Sequence, residues 1–294
     1  MKKLFLMAVA VCLITACEKP ITGVDDDITE DELIDQAKED VKKFTFTCKG
    51  EFSSPSMRGY LSEDDNQMTD LWVYDYMDGE CIQSIHQVNT DNGWGAPEMM
   101  LRYGTHHVYF IASRGTEPTV DDTSKTISWS KPSDTFWKDY EVTVVNTSNG
   151  NRAVTLDRMV TRLRVTVDDD IPSEMASLVV TPATWYYGMN YTTGEPATAK
   201  NSENRTISVP SSYIGTTGQL TANIFGFSPS DEWTTDVTLS AVTSAGGDLG
   251  SVTIPSAPFK RNRVTEYHGN LFLQPTAVGV SVNDEWITPY SDVW

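Results

Sequence analysis

The chain has 294 residues and a formal net charge of −19 at pH 7, from 41 acidic and 22 basic side chains. Such an acidic excess repels the phosphate backbone of nucleic acid, and no basic stretch could offset it, so nucleic acid is excluded as a partner. Aromatic residues make up 10% of the sequence, eight of them Trp, which argues against wholesale disorder. The length suggests two domains.

The first residues are organised like a bacterial lipoprotein signal. Two lysines precede an apolar stretch at 4–13, which is shorter than the roughly 20 residues of a membrane-spanning helix. Ile-Thr-Ala-Cys at 14–17 then resembles a lipobox, whose small residues admit a peptidase and whose cysteine receives the lipid. We expect a signal peptide over 1–16, acylation of Cys17 (typically with palmitate) and an outer-membrane location. The alternative is an ordinary secretory signal in which Cys17 is incidental.

Two further cysteines, Cys48 and Cys81, remain beyond the predicted signal. In an oxidising compartment an even pair can form a disulfide between neighbouring strands. The alternative is two free thiols that serve as small core hydrophobes. Neither cysteine has a CxxC-type partner and the four histidines add no recognisable ligand set, so no metal and no cofactor are predicted.

The chain after the signal begins with an acidic segment and then changes to a period of two. Residues 17–40 are predicted to be a solvated tether that lifts the folded part off the membrane. Over 43–49, the apolar residues Phe44, Phe46 and Cys48 alternate with polar ones. This alternation predicts a half-buried strand.

The remainder is a series of short apolar runs separated by turn residues, which is typical of β-sandwiches. An Asp-Gly pair at 78–79 lies between two such runs and predicts a hairpin. The fold class predicted is all-β, with two sandwich domains at 41–152 and 153–294. Further strands are predicted at 107–113, 126–130, 140–145, 152–169, 178–181, 185–187, 206–209, 220–227, 237–242, 250–254, 263–273 and 278–282.

Several longer sequences occur in a characteristic order after the lipobox and the tether. They are DLWVYDYMDGECI at 70–82, YGTHHVYFIAS at 103–113, LDRMVTRLRVTVDD at 156–169, PFKRNRVTEYHGNLF at 258–272 and VNDEW at 282–286. In this order and spacing they resemble the Bacteroidetes fimbrillin superfamily, the subunits and anchors of type V pili. The resemblance covers nearly the whole chain.

The resemblance implies two transthyretin-like, Greek-key β-sandwich domains and no catalysis. It implies fimbrial subunits as partners, joined by β-strand addition, an outer membrane reached through the lipid, and adhesion to host or bacterial surface ligands. In the family, shaft subunits mature by cleavage after a basic residue near the first strand, whereas base anchors keep that strand and their lipid. Arg58 would be the cleavage site; the alternative is a solvated loop charge. The tail, with Trp286 and Trp294, is a candidate donor strand.

A second function, the capture of surface glycans, is suggested by the aromatic residues. Glycine-flanked Trp94, Trp185 and Tyr186 could form an exposed stacking platform. The alternative is that large aromatic side chains fill the two cores.

No enzyme is predicted, because the sequence contains neither a GxSxG nucleophile elbow nor a phosphate-binding GxxxxGK[ST] loop. Arginines at 158, 162 and 164 lie on one face of a predicted strand. They could clamp an anion, but pairing with the abundant acids at a domain interface is the preferred interpretation.

Overall fold

A computed structural model describes residues 41–50, 68–114, 117–272 and 281–283, which belong to one compact unit. The described residues are strands and connecting turns with a short 3₁₀ segment at Ser211–Tyr213, and the predicted all-β class is confirmed. The strands are β1 (Val41–Gly50), β2 (Asp70–Met77), β3 (Glu80–Val88), β4 (Glu98–Arg102), β5 (Gly104–Ser113), β6 (Thr119–Asp121), β7 (Thr126–Ser128), β8 (Thr135–Val144), β9 (Asn151–Arg158), β10 (Val160–Val167), β11 (Met175–Pro182), β12 (Thr184–Asn190), β13 (Pro196–Asn201), β14 (Arg205–Ser208), β15 (Leu220–Phe227), β16 (Trp233–Thr243), β17 (Asp248–Phe259), β18 (Val264–Gly269) and β19 (Ser281–Asn283).

No helix in the described ranges is long and apolar enough to cross a membrane.

The first sandwich is one sheet that folds over on itself, in the order β3-β2-β5-β8-β9-β1-β4. Its two halves face each other, since the ring of Phe46 on β1 lies 5.2 Å from that of Phe110 on β5. The predicted hairpin is confirmed: β2 and β3 pair across Asp78 and Gly79, both with positive φ, as a tight hairpin turn requires. The first core contains Phe44, Phe46, Met68, Leu71, Val73, Met99, Leu101, Val108, Phe110, Ala112, Phe136, Val142, Val144, Val154 and Leu156.

The second sandwich packs two sheets face to face. One has the order β19-β18-β10-β15-β12-β7-β6, with β13 also paired to β12, and the other has the order β14-β11-β16-β17. Alternate residues of β10 point between them, which confirms the alternation predicted for that stretch. The second core contains Leu163, Val165, Val167, Ile171, Met175, Leu178, Val180, Trp185, Tyr187, Leu220, Ala222, Ile224, Val237, Leu239, Ala241, Ile254, Ala257, Phe259, Tyr267 and Leu271.

Strands β6 and β7 pass from one sandwich to the other. They occur between β5 and β8 in the chain, yet β7 pairs with β12 of the second sandwich. Strand β9 remains in the first sandwich and β10 begins the second. The predicted domains 41–152 and 153–294 stay a prediction, while the change of sheet itself falls between Arg158 and Val160.

An aromatic seam joins the two sandwiches. Alternate residues of β2 enter the first core, and the others face Tyr191 and its neighbours, so that β2 is buried on both faces. The rings of Tyr74 and Tyr191 stack 4.7 Å apart, and the hydroxyls of Tyr76 and Tyr191 lie 3.0 Å apart. The seam consists of Trp72, Tyr74, Tyr76, Tyr109, Ile111, Ile127, Trp129, Met159, Val160, Met189, Tyr191 and Phe227.

A buried polar group, the Arg158 hub, lies at the end of β9. The guanidinium of Arg158 donates to both carboxylate oxygens of Asp134, at 2.8 and 3.1 Å, and to the side-chain oxygen of Asn262 at 3.1 Å. It also lies 4.6 Å above the ring of Phe136. The three polar residues of the hub therefore tie β9 to the start of β8 and to the β17–β18 turn.

We predict that Asp134→Ala lowers the free energy of unfolding by about 3–5 kcal/mol, because it leaves a buried guanidinium without its main counter-charge. Lys138→Ala is the matched control, because Lys138 pairs with Asp157 across the same two strands at 2.9 Å with both side chains exposed. This change should lower the free energy by about 0–1 kcal/mol. Urea denaturation of both variants measures the difference, and equal losses would contradict the prediction.

Candidate functional site

Strand β1 has the alternation that its sequence predicts. Phe44 and Phe46 are fully buried, whereas Lys43, Thr45 and Thr47 lie on the other face. β-branched threonines and aromatic residues favour the extended conformation. The predicted half-buried strand is therefore confirmed.

Two different ladders hold β1 inside the sheet. Its first half, residues 41–45, pairs antiparallel with β4, and its second half, residues 45–50, pairs parallel with β9. The two ladders overlap at Thr45, which is opposite Glu98 on one side and Asn151 on the other. The N-terminal strand of the described chain is thus an internal strand rather than an edge.

Consecutive amides of β1 donate to opposite neighbours. The N–H of Thr45 donates to the carbonyl of Gly150 at 2.7 Å, and that of Phe46 donates to the carbonyl of Pro97 at 3.0 Å. The N–H of Cys48 donates to the carbonyl of Gly95 at 2.9 Å. Any extended segment with free amides can make such bonds, so these contacts hold β1 through its main chain rather than through its exact sequence.

Aromatic contacts define the side-chain pockets beneath β1. The ring of Phe46 meets those of Phe110 at 5.2 Å and Tyr140 at 5.9 Å, both edge-on. The ring of Phe44 lies 6.0 Å from that of Phe46 and is covered by the guanidinium of Arg152 at 5.0 Å. Two adjacent pockets for large apolar side chains result.

Gly150 permits the close approach of β1 to the turn before β9. A Cβ atom built on Gly150 would lie 2.1 Å from the carbonyl oxygen of Lys43. Backbone, unlike the end of a flexible side chain, cannot move aside cheaply, so only glycine fits here.

Both described cysteines are free thiols. Of the two alternatives left open by the sequence, the structure therefore has the two free thiols and not the disulfide. Cys48 is on β1 and packs against the first core, and burial raises the pKa of its thiol to about 12. Cys81 is exposed on β3, at the far end of the strand order from β1. The Cys48–Cys81 disulfide is therefore absent from this structure and stays a prediction.

The predicted glycan platform is not assembled. Trp185 is only 1% exposed in the second core, and its indole N–H donates to the carbonyl of Phe225 at 3.0 Å. Trp94 packs against the first core, whereas Tyr186 packs against the aromatic seam. The prediction of Trp185 as a stacking residue is wrong, because pairing of β12 within its sheet turns this side chain inward.

A buried carboxyl–imidazole pair, Asp75 and His106, is a titratable group that the sequence alone does not reveal. Both residues are fully buried, with Asp75 Oδ1 2.7 Å from His106 Nδ1. His106 Nε2 lies 2.9 Å from the carbonyl of Arg102, which can only accept, so Nε2 carries a proton. Burial raises the pKa of Asp75, against the opposing effect of His106. With both imidazole nitrogens engaged, the pair has no nitrogen left for a substrate.

Several predicted features lie outside the described residues: the signal 1–16, the lipidation site Cys17, the rest of the tether 17–40, Arg58 and the tail from 284. Within the described ranges, no group of three or more His, Cys, Asp or Glu residues is placed to hold a metal ion.

Sequence comparison assigns the chain to a family. Residues 116–293 match the profile of a family of unknown function, DUF6562, which is more than half of the chain. The chain belongs to the DUF6562 family. No curated protein sequence matches this DUF6562 member significantly.

Solved structures with a similar fold come from Bacteroides. A candidate adhesin from Bacteroides ovatus is 11% identical, with 84% of this chain and 95% of that chain covered and a TM-score of 0.50. A candidate adhesin from Bacteroides thetaiotaomicron is 8% identical, with coverages of 82% and 95% and a TM-score of 0.51.

Candidate polysaccharide-binding proteins (DUF1812) from the same species are 8% identical to this DUF6562 chain. The coverages are 82% and 97%, and the TM-score is 0.51. At such identities the similarity establishes the fold. The all-β sandwich fold that the fimbrillin resemblance implies is thus confirmed.

We predict that Gly150→Ala destabilises the protein by about 1–3 kcal/mol, because the added methyl group forces the backbone of β1 away from its neighbour. Gly247→Ala in the β16–β17 turn is the control, since the nearest atom to its Cβ is the side-chain oxygen of Thr243 at 3.1 Å. Urea denaturation measures both. A Gly150 variant as stable as the parent would show that β1 does not need this close approach.

We predict that Asp75→Asn becomes more stable relative to the parent as the pH rises. A raised pKa in the folded state means that the Asp75 carboxyl contributes its stability at acid pH and loses it as the pH rises through that pKa. Asparagine cannot ionise and can donate to Nδ1 of His106. Chemical denaturation at a series of pH values from about the ordinary Asp pKa of 3.8 upward tests this. A difference in stability between variant and parent that stays constant as the pH rises would contradict the assignment to the buried pair.

Proposed function

We propose that this chain is a lipid-anchored fimbrial subunit or base anchor that supports adhesion and joins its neighbours by β-strand addition. The observation that carries the proposal is the position of β1 in its sheet. It is an N-terminal strand, internal to its sheet, with fully buried Phe44 and Phe46, and the segment containing Arg58 follows it in the sequence.

Strand addition fits the physical chemistry of this position. A strand at β1 gains main-chain hydrogen bonds on both sides and places alternate side chains in apolar pockets. Because the bonds come mostly from the backbone, a strand of another subunit with the same alternation could occupy the position. The tail with Trp286 and Trp294 is the donor segment that we propose.

Lipidation at Cys17 would hold the protein at the outer membrane, as the lipobox predicts. Cleavage after Arg58 would separate the lipid and β1 from the rest of the chain, as expected for a shaft or tip subunit. An uncleaved chain would keep both and act as an anchor. The fold shared with candidate adhesins of Bacteroides supports a role at the cell surface.

The proposal is tested on protein recovered from the cell surface. We expect chemical cross-linking to join this chain to a second fimbrial polypeptide, with cross-links near β4 or β9. The N-terminus distinguishes the two forms, because a start at Gly59 indicates a cleaved subunit and a blocked Cys17 an anchor. Arg58→Ala should abolish the Gly59 start, and Cys17→Ser should abolish membrane association.

A monomer without cross-linked partners would overturn assembly by strand addition. Deleting residues 284–294, which leaves β19 in place, should impair assembly but not folding, as judged by an unchanged far-UV spectrum. Retention of a purely monomeric protein on a polysaccharide column would instead favour the glycan-binding function.

A further inference from the structure

The only ladder of strand β4 in the described part of the chain is the one with β1, whereas β1 keeps a ladder with β9 if β4 is lost. Within the described part of the chain, β4 pairs with β1 and with no other strand. Strand β1, by contrast, has a second ladder to β9. Loss of β4 would leave β1 attached, whereas loss of β1 would leave β4 with no ladder at all.

We propose, building on the proposed function, that β4 folds only onto a strand that occupies the β1 position. The partner recognised here is then an extended segment of about ten residues that pairs on both sides, antiparallel to β4 and parallel to β9. A segment that pairs with β9 alone leaves the site incomplete.

The turn before β4 is held by the same strand. Carbonyl oxygens of Gly95 and Pro97 accept amides from the second half of β1, at 2.9 and 3.0 Å. The whole stretch from Gly95 to Arg102 therefore draws main-chain hydrogen bonds from β1. Its inward side chains, Met99 at 1% exposure and Leu101 at 0%, close one side of the first core.

Strand β9 is anchored independently. Its last residues, Asp157 and Arg158, pair with Trp137 and Phe136 of β8. The Arg158 hub binds the same end through Asp134 and Asn262, at distances of 2.8–3.1 Å. The C-terminal end of β9 is thus held by the rest of the protein, whereas β4 is brought into place by the strand at the β1 position.

The side chains around β1 specify the chemistry of the partner. Two large apolar residues at alternate positions fill the pockets of Phe44 and Phe46, and a smaller residue follows at the place of Cys48. A cation one position before the first apolar residue meets Glu98, as Lys43 does at 2.8 Å. The strand that fits the β1 position therefore has the pattern basic, large apolar, polar, large apolar, polar, small, and another subunit supplies it, because residues 284–294 of this chain contain no Lys or Arg.

Hydrogen exchange of the purified full chain tests the dependence. In Phe46→Ala, we expect amides of both β1 and β4 to exchange at least about tenfold faster than in the parent, with β2 and β5 unchanged. In Met99→Ala, the matched core truncation on β4, only β4 should accelerate. Phe46→Leu, which removes less volume, replaces Phe46→Ala if that variant does not fold. Protection of β4 that persists while β1 exchanges would overturn the proposal.

Peptide capture by the Phe46→Ala chain tests the two-sided requirement. A synthetic peptide with the sequence of residues 41–50 should restore protection to β4 and β9, and a peptide of residues 45–50 should protect β9 at most. A 41–50 peptide with Glu in place of Lys43 should bind more weakly because it faces Glu98. Restoration of β4 by the short peptide, or no restoration by the long one, would overturn the proposal.

These results are separable from the test of function. If the amides of β4 stay protected from exchange while those of β1 are not, the two-sided requirement is wrong, but cross-links on cells can still be found. Absence of cross-links on cells removes the fimbrial function while leaving the dependence of β4 on β1 intact.

Discussion

Burial of β2 and β5 on both faces is the constraint on which the architecture depends. An antiparallel sheet commonly keeps one face in water, but here one face enters the first core and the other enters the aromatic seam. Tyrosines suit such a seam because their rings are apolar while their hydroxyls still find partners, as Tyr76 and Tyr191 do at 3.0 Å. The two sandwiches consequently share a dry contact and form one compact unit.

Local alternation was sufficient to predict most strands and the Asp-Gly hairpin, because a strand's own sequence determines which side chains are apolar. It was insufficient for β4. Only Met99 and Leu101 of that strand are buried, and its ladder is formed with residues more than fifty positions earlier in the chain. The destination of β7 could not be predicted either, since its partner, β12, belongs to the other sandwich.

Side-chain environments were harder to predict than strands, because they depend on which strands become neighbours. Phe44 and Phe46 were identified correctly from period two alone. The burial of Trp185 was not predicted, because the residues beside it in the sequence do not show which strands pack around it. Asp75 and His106 lie on adjacent strands although they are thirty-one positions apart in the sequence, and only the pairing of β2 with β5 brings them together.

The crossing of β6 and β7 has a consequence for how this fold can be inherited. The segment recognised as DUF6562 starts at residue 116, just before the chain enters the second sandwich at β6. That segment carries β8 and β9 but not β5 and β1, which flank them in the first sheet. A recombination event that moved this segment to another gene would therefore transfer strands without their neighbours. Both sandwiches, with their crossing strands, would have to move together to keep every strand beside its partner.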